Sequence, residues 1–446
     1  VADIAPVTSS PAEAPDFLAD HDLPARWAGR AEFVLLATGF GAGQQFLAAW
    51  GSWQADPQRC QRLIFIAIEP DPLTRSELEQ AHLKSERPDL AEQLCAAWPP
   101  LTANLHRLAW AGGRVQLHLC VGPTQHWLRE LVAEVDAFCL NHQGTEPWDK
   151  YLFKALARHA APNASAASSG SSLALREGLA AAGFALEHGR LRTARLTPRH
   201  TLQKPVARLA LAPLARHALI IGAGLAGAAC AWALAERGIQ STVIDGQAGP
   251  AQAASGNPGG LFHGTLNPID GLHARFNRAC ALETERVLQR LPALPWRQQG
   301  LLRIETARDL AQMQALIDRL GLPPDYVQAL ASAQADARSG IALGRPAWFY
   351  PGGGALPPAA YVAALLQASG ARQLFSRSVT RLSRAAEGWQ AWAQDGSLLG
   401  AAPLLVLAGG QQGQVLLQDL APGLPLMTQR GQLSHLAPVA ARPTLP

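Results

Sequence analysis

The chain has no run of about 18 or more apolar residues, so nothing in it reads as a membrane-spanning helix. Its start lacks the charged and apolar stretches of a secretory signal, which leaves the cytoplasm as the default compartment. Cysteine pairs are missing too. Cys60, Cys95, Cys120, Cys139, Cys230 and Cys280 show no spacing of a zinc site or a redox dithiol, so no metal is expected and the thiols read as reduced packing residues. Charge is modest, with 16% charged against 48% apolar residues, a globular balance that excludes wholesale disorder. A net charge of +4 is too small to imply a nucleic-acid partner by itself. Acids are absent altogether from one stretch. Between His188 and His217 stand Arg190, Arg192, Arg195, Arg199, Lys204, Arg208 and Arg216, which read either as a solvated linker or as a phosphate-contacting strip. No internal repeat is present. The chain begins with Val1 and ends at Leu445-Pro446 without an obvious stop signal, so either end is read as a candidate truncation point.

What is present is a pair of glycine-rich turns, each directly after an apolar run. Gly39-Phe-Gly-Ala-Gly43 follows Phe33-Val-Leu-Leu36, and Gly222-Ala-Gly-Leu-Ala-Gly227 follows Ala218-Leu-Ile-Ile221. A buried parallel strand that feeds such a turn and then a helix brings backbone N–H groups to a nucleotide cofactor. From Phe33 the chain alternates. Strands are predicted at Phe33–Leu36, Leu63–Ile68, Val115–Cys120 and Ala137–Leu140, with helices at Gly43–Gln54, Thr74–Lys84, Ala91–Ala97, Gln125–Val132, Pro147–Ala160 and Ser171–Ala182. That order predicts a mostly parallel sheet covered on both faces. Residues 1–30, rich in Pro, Ala, Ser and Asp, read as a loose lead-in. The expected division is a first domain over 31–197, a basic, Pro-containing linker over 198–216 and a second domain over 217–446.

The second domain opens with a compact strand, turn and helix unit. Strand Ser241–Ile244 ends at Asp245, about 20 residues past the turn, where an acid accepts hydrogen bonds from a ribose with free hydroxyls, as in FAD or NAD. The loop Ala254-Ser-Gly-Asn-Pro-Gly-Gly260 follows and supplies N–H and hydroxyl donors, which favours a flavin. Helices are predicted near Ala274–Arg290, Ala307–Leu320 and Pro358–Ala368, and a strand at Leu404–Leu407. His263, just beyond the loop, reads as structural and receives no role.

Gly222-Ala-Gly-Leu-Ala-Gly227, Ala254-Ser-Gly-Asn257, Phe349-Tyr-Pro-Gly-Gly353 and Arg430-Gly-Gln432 resemble the FAD-dependent half of the bifunctional tRNA 5-methylaminomethyl-2-thiouridine biosynthesis (MnmC) family. Leu23-Pro-Ala-Arg-Trp27, Thr38-Gly-Phe-Gly41, Pro72-Leu-Thr-Arg75, Ala97-Trp-Pro-Pro-Leu101 and Leu152-Phe-Lys-Ala-Leu-Ala-Arg158 resemble its methyltransferase half, in the same order. The resemblance implies an α/β protein. Its first part would be a class I methyltransferase-like, Rossmann-like domain, and its second an FAD-binding Rossmann domain of the D-amino-acid oxidase or glycine oxidase type, incomplete at its C-terminal end. It implies tRNA as substrate, with FAD-dependent removal of the carboxymethyl group from 5-carboxymethylaminomethyl-(2-thio)uridine followed by methylation from S-adenosylmethionine. FAD residues by this resemblance are Gly222, Gly224, Gly227, Asp245, Ser255, Gly256 and Asn257. Those for S-adenosylmethionine are Gly39, Gly41, Gly43 and Glu69. No catalytic residue is assigned.

The first half departs from that family where charge matters. Ala37 stands in place of an acid before the turn, Gly122-Pro123 in place of a Gly-Asp pair, and Leu140-Asn-His-Gln-Gly144 in place of a Leu-Asp-Gly stretch. One charge-assisted hydrogen bond contributes about 1.5–3 kcal/mol, so three lost acids predict a degenerate methyltransferase. Asn141, His142 and Glu146 are the candidate replacements. Two other readings stay open: a flavin oxidase of free amines with a scaffold first domain, and a non-catalytic tRNA-binding remnant.

Overall fold

A computed structural model describes residues 17–141, 148–168, 173–186, 193–197, 216–291, 294, 300–418, 420–429, 431–434 and 444–446. The chain divides into two compact units, Val1–Val206 and Ala207–Pro446, and the division falls inside the expected linker. Most of the basic strip, with Arg190, Arg192, Arg199, Lys204 and Arg208, lies outside the described residues, as do His142, Glu146 and Arg430. Arg195 is described and is paired with Asp22, so that member of the strip is an ion-paired strand residue.

The first unit is built on an eight-stranded sheet. Its strands are β1 (Glu32–Thr38), β2 (Arg62–Glu69), β3 (Leu105–Trp110), β4 (Val115–Val121), β5 (Val135–Leu140), β6 (Ala160–Ser168), β7 (Phe184–Leu186) and β8 (Thr193–Leu196), in the order β3-β4-β2-β1-β5-β6-β8-β7. The run from β4 to β6 is parallel, while β3, β7 and β8 pair antiparallel at the edges. Helices are α1 (Phe17–Asp20), α2 (Gln44–Ala55), α3 (Arg75–Ala81), α4 (Pro88–Ala96), α5 (Thr124–Glu130), α6 (Lys150–His159) and α7 (Leu173–Ala181). A parallel strand covered on both sides reads as a continuous apolar run, and β1 is one. Phe33, Leu35 and Ala37 enter one core with Phe46, Trp50 and Trp53 of α2; Val34 and Leu36 enter the other with Leu152, Phe153 and Leu156 of α6. The expected helix at Thr74–Lys84 starts where its capping box dictates: the Thr74 hydroxyl accepts from the Glu77 N–H while the Glu77 carboxylate accepts from the Thr74 N–H.

The lead-in expectation is corrected for residues 17–30. Phe17, His21, Leu23 and Trp27 are buried, and Trp27 Nε1 donates to Asp56 Oδ2 at 2.8 Å. Single aromatic anchors in a short segment leave no periodicity to read, so composition alone misjudged it. Strands β3, β7 and β8 were also missed, since β3 mixes polar with apolar residues and β7 and β8 are only three and four residues long.

The second unit centres on a parallel four-stranded sheet of β9 (His217–Ile221), β10 (Gln240–Ile244), β16 (Arg372–Leu374) and β20 (Leu404–Leu407), in the order β16-β10-β9-β20. Its helices are α8 (Leu225–Ala235), α9 (Leu272–Gln289), α10 (Leu310–Leu320), α11 (Ser332–Ser339), α12 (Pro358–Ser369) and α13 (Gly410–Leu417). On one face Ala228 and Ala231 of α8 and Val362, Leu365 and Leu366 of α12 pack over Ile220 and Val243. On the other, Leu219, Ile221 and Ile244 meet Ala391 and Ala402 of an antiparallel meander, β17 (Arg381–Ala385), β18 (Gly388–Trp392) and β19 (Leu398–Ala402). Two smaller antiparallel sheets complete the unit: β11 (Gly260–Phe262) with β15 (Gly354–Leu356), and β14 (Ala347–Tyr350) between β12 (Leu301–Ile304) and β13 (Gln328–Leu330).

His21 makes the first unit sensitive to acid. Its Nδ1 lies 2.7 Å from Ser165 Oγ, a hydroxyl that also accepts from Arg26. Burial, aided by the charges of Arg26 and Arg195, lowers its pKa to about 3. An unfolded histidine titrates near 6.5, so the unfolded chain takes up a proton that the folded chain refuses between those values. Stability is therefore full above about pH 6.5 and falls toward pH 3, by at most about 1.4 kcal/mol per pH unit from this group. Denaturant melts at pH 7.5 and 5.5 should show this loss, and His21→Gln should show a clearly smaller one; equal losses would remove His21 as the cause.

Two candidate nucleotide-cofactor sites

Both glycine turns sit at the carboxyl end of the central strand of a parallel sheet, the place where such sheets leave a crevice. In the second unit β9 ends at Ile221 and Gly222 takes φ +111°, a conformation side chains rarely adopt. A Cβ there would also lie 2.5 Å from the Ala408 carbonyl oxygen, where the end of β20 passes close by. Gly224 caps α8, and a Cβ on it would lie 2.9 Å from Ser255 Oγ. That hydroxyl accepts from the Leu225 N–H at 3.0 Å, which ties the 254–256 turn to the first turn of the helix.

Asp245 closes the arrangement from the end of β10. Its Oδ2 accepts from the Ala223 N–H at 2.7 Å and its Oδ1 from the Gln247 N–H at 2.8 Å. Each oxygen keeps an acceptor direction for a further donor such as a ribose hydroxyl. Gly222, Gly224, Asp245 and Ser255 together line a cleft of about 390 Å³, within the range of small-ligand sites.

Three expected residues stand apart from that cleft. Gly227 is buried, and a Cβ on it would meet the Gly222 carbonyl oxygen at 1.9 Å, so it lets helix and turn pack rather than admitting a ligand. Gly256 is constrained by the Ala251 carbonyl oxygen at 2.3 Å from its Cβ position, and Asn257 faces solvent. His263 packs its ring 5.1 Å from that of Tyr350 and its Nδ1 lies 2.6 Å from the Gly264 oxygen, in keeping with a structural part. Sequence reading missed Arg377, Ser378 and Gly409 to Gly413, which form the far wall of the cleft. Arg377 and Ser378 follow a strand of three residues, too short for a periodic signal, whereas Gly409-Gly410 directly follows the expected strand Leu404–Leu407 and was a visible cue.

The first unit repeats the device with different surroundings. Gly39, Gly41 and Gly43 all have positive φ, and Glu69 at the end of β2 is buried beneath them. Its Oε2 accepts from the Phe40 N–H at 2.7 Å and the Gly41 N–H at 3.0 Å. Phe40 stacks on Trp98 with ring centroids 5.5 Å apart, and its ring fills the space where a Cβ on Gly43 would stand. Ala37 is 0% exposed, in register between Ala67 and Cys139, inside an apolar core. Asn141 forms a neutral clasp: its Nδ2 donates to Gln45 Oε1 at 2.9 Å, its N–H to Thr38 Oγ1 at 3.1 Å, and its Oδ1 accepts from Gln45 Nε2 at 3.3 Å. Gly122 takes φ +136° and donates its N–H to the Glu69 carbonyl oxygen. Among the described residues no group of three or more His, Cys, Asp or Glu could hold a metal, and no helix is long and apolar enough to cross a membrane.

Comparison with known proteins matches these units to two families. An FAD dependent oxidoreductase model covers residues 217–446, and an S-adenosyl-L-methionine-dependent methyltransferase model covers residues 85–195. The chain is 42% identical over 452 residues to the tRNA 5-methylaminomethyl-2-thiouridine biosynthesis bifunctional protein MnmC of Methylibium petroleiphilum, covering 96% of this chain and 68% of that protein. It is 38% identical over 448 residues to the protein of the same description from Azoarcus sp., covering 96% and 69%. Among solved structures, a glycine oxidase from Bacillus cereus aligns at 21% identity and a TM-score of 0.37, over 46% of this chain and 58% of that one.

Gly222→Ala combines a disfavoured φ with a backbone clash at the cleft, so the purified variant should lose most of its flavin absorbance. Asp245→Ala removes an acceptor worth about 1.5–3 kcal/mol, which predicts FAD binding weaker by roughly tenfold to a hundredfold in a reconstitution titration. Full flavin retention by both variants would place the cofactor elsewhere.

Proposed function

Because the chain belongs to the tRNA 5-methylaminomethyl-2-thiouridine biosynthesis bifunctional protein MnmC family, we propose that it modifies the wobble uridine of tRNA in two consecutive steps. The first oxidises the carbon–nitrogen bond of 5-carboxymethylaminomethyl-(2-thio)uridine, and water then releases the carboxymethyl carbon from the resulting imine. FAD supplies the two-electron acceptor. The observation that carries this reading is identity of 42% along 96% of the chain, joined to a cleft with the backbone and acid that a dinucleotide needs. The Gly222 and Gly224 backbone and the start of α8 would hold the pyrophosphate, Asp245 the ribose and Ser255 the flavin side, with Gly256 and Asn257 shaping the loop that carries Ser255 from outside the cleft. Gly227 serves by close packing.

In the second step the exposed 5-aminomethyl group attacks the methyl carbon of S-adenosylmethionine. Gly39, Gly41 and Gly43 supply the turn for that cofactor, and Glu69 its ribose contact. The transfer needs an uncharged amine placed in line, hence a group nearby to receive its proton. Around this turn the side chains that replace the family acids are Ala37 in the apolar core and Asn141 in a neutral amide pair with Gln45. Neither accepts a proton, which supports a weakened second step. The two activities are assigned to residues 31–197 and 217–446, with 198–216 as linker, and the protein to the cytoplasm, where its tRNA substrate resides.

Incubation with FAD, S-adenosylmethionine and tRNA carrying 5-carboxymethylaminomethyluridine, followed by nucleoside mass analysis, tests both steps. The 5-aminomethyl product should accumulate ahead of the 5-methylaminomethyl product, with second-step rates lower by about tenfold or more. Asn141→Asp should narrow the gap. Matched rates in the unaltered chain would sink the weakened-transfer reading, and no loss of the carboxymethyl group would sink the oxidase reading.

A further inference from the structure

Two features of the second unit have no part in holding the cofactor. One is an apolar stripe: Leu272 and Phe276, one turn apart on α9, are 77% and 66% exposed, and Ile269 in the preceding loop is 87% exposed. A large aromatic and two aliphatic side chains grouped in the open exceed the scattered exposure of an ordinary surface. The other is a basic groove of about 580 Å³ along α10, lined by Arg308, Gln312, Ala315, Arg319 and Pro268 and by no acid. The acids near this helix are not among the residues that line the groove, and each is held by a bond within the chain. Asp309 caps the helix by accepting from the Gln312 N–H, and Asp318 accepts from Gln314. Arg308 bonds Glu305 at 3.2 Å, but that carboxylate also serves Trp348 Nε1 and the Thr306 and Ala307 N–H groups. Arg319 donates one bond, to the Pro268 carbonyl oxygen at 3.2 Å. Groove and stripe are joined in the chain at Pro268-Ile269, the first lining the groove and the second exposed.

We propose that this joined surface seats the anticodon loop of the tRNA substrate, with Phe276 as a stacking platform for an unpaired base and Arg308 and Arg319 on backbone phosphates. The proposal rests on the tRNA reading above. Charge and chemistry select the occupant. An RNA loop offers flat, unstacked bases and a polyanionic backbone together, and stacking on exposed aromatic residues beside arginines is how such loops are held. A flat aromatic platform also suits the chemistry, because the wobble base must leave its stack to reach a cofactor.

The test uses the full chain and the variants Phe276→Ala, Phe276→Tyr and Arg319→Gln, each assayed for flavin content, for tRNA affinity across a salt series and for sedimentation. Phe276→Ala should keep its flavin and bind tRNA roughly tenfold more weakly with an unchanged salt slope, while Phe276→Tyr binds as the unaltered chain does. Arg319→Gln should reduce the salt slope by about 0.7–0.9. Should Phe276→Ala lose flavin, Arg319→Gln decides alone. Variant affinities and slopes equal to those of the unaltered chain, while that chain binds tRNA, overturn the seat but leave the proposed function standing. A Phe276→Ala change from dimer to monomer with intact tRNA affinity assigns the stripe to a second copy and also overturns it. Absence of tRNA binding by the unaltered chain overturns both.

Discussion

In each unit one carboxylate at the end of the second parallel strand gathers the N–H groups of a glycine turn. Glu69 holds Phe40 and Gly41, and Asp245 holds Ala223. Without such an acceptor a buried turn would leave donors unpaired, at about 1–3 kcal/mol each. The same acid is the proposed ribose contact, so the group that stabilises the turn would also select the ligand. The glycines answer to this geometry, since backbone drawn that close to an acid leaves room for a ligand only where side chains are absent. The sheets follow in turn, because the acid and the turn meet only if two parallel strands end level with each other.

The units diverge in what surrounds that common device. Around Asp245 the cleft opens between the glycine turn and a far wall with Arg377, Ser378 and Gly409, leaving polar groups and backbone turned toward a ligand. Around Glu69 the polar groups satisfy one another, Asn141 with Gln45 and Thr38, while the Phe40 ring stacks on Trp98. An amide pair is a stable way to close a site, yet it carries no charge and takes up no proton. The same local arrangement thus stands in one unit beside a cleft lined by polar groups, and in the other beside polar groups bonded to one another within the chain.

Much of this was legible in the residues. The apolar runs Phe33–Leu36 and Ala218–Ile221 mark the central strands because both faces of each are covered, and the glycine spacing marks the turns behind them. Glu69 and Asp245 were legible from position alone. Residues 17–30 were not, because His21 and Trp27 act as isolated anchors whose partners, Ser165 and Asp56, lie far along the chain. Nor was the meander at 381–402, where half-buried strands alternate imperfectly, nor Arg377, which reaches the cleft only because β16 joins the sheet beside β10.

By itself, the sequence determined the strand, turn and helix units, the acid that ends each second strand and the uncharged residues at Ala37 and Asn141, since these depend on neighbours a few residues away and on residue type. Tertiary structure alone decided which glycines face a ligand. Gly224 and Gly227 look equivalent in the motif, yet one lines the cleft and the other meets the Gly222 carbonyl, a distinction set by how a helix packs on its strand. It also decided that the Asn141 amide would spend its hydrogen bonds on Gln45, and that Phe276 would stand in the open on α9. Such outcomes rest on contacts between distant segments, and no local pattern encodes which distant partner a side chain will meet.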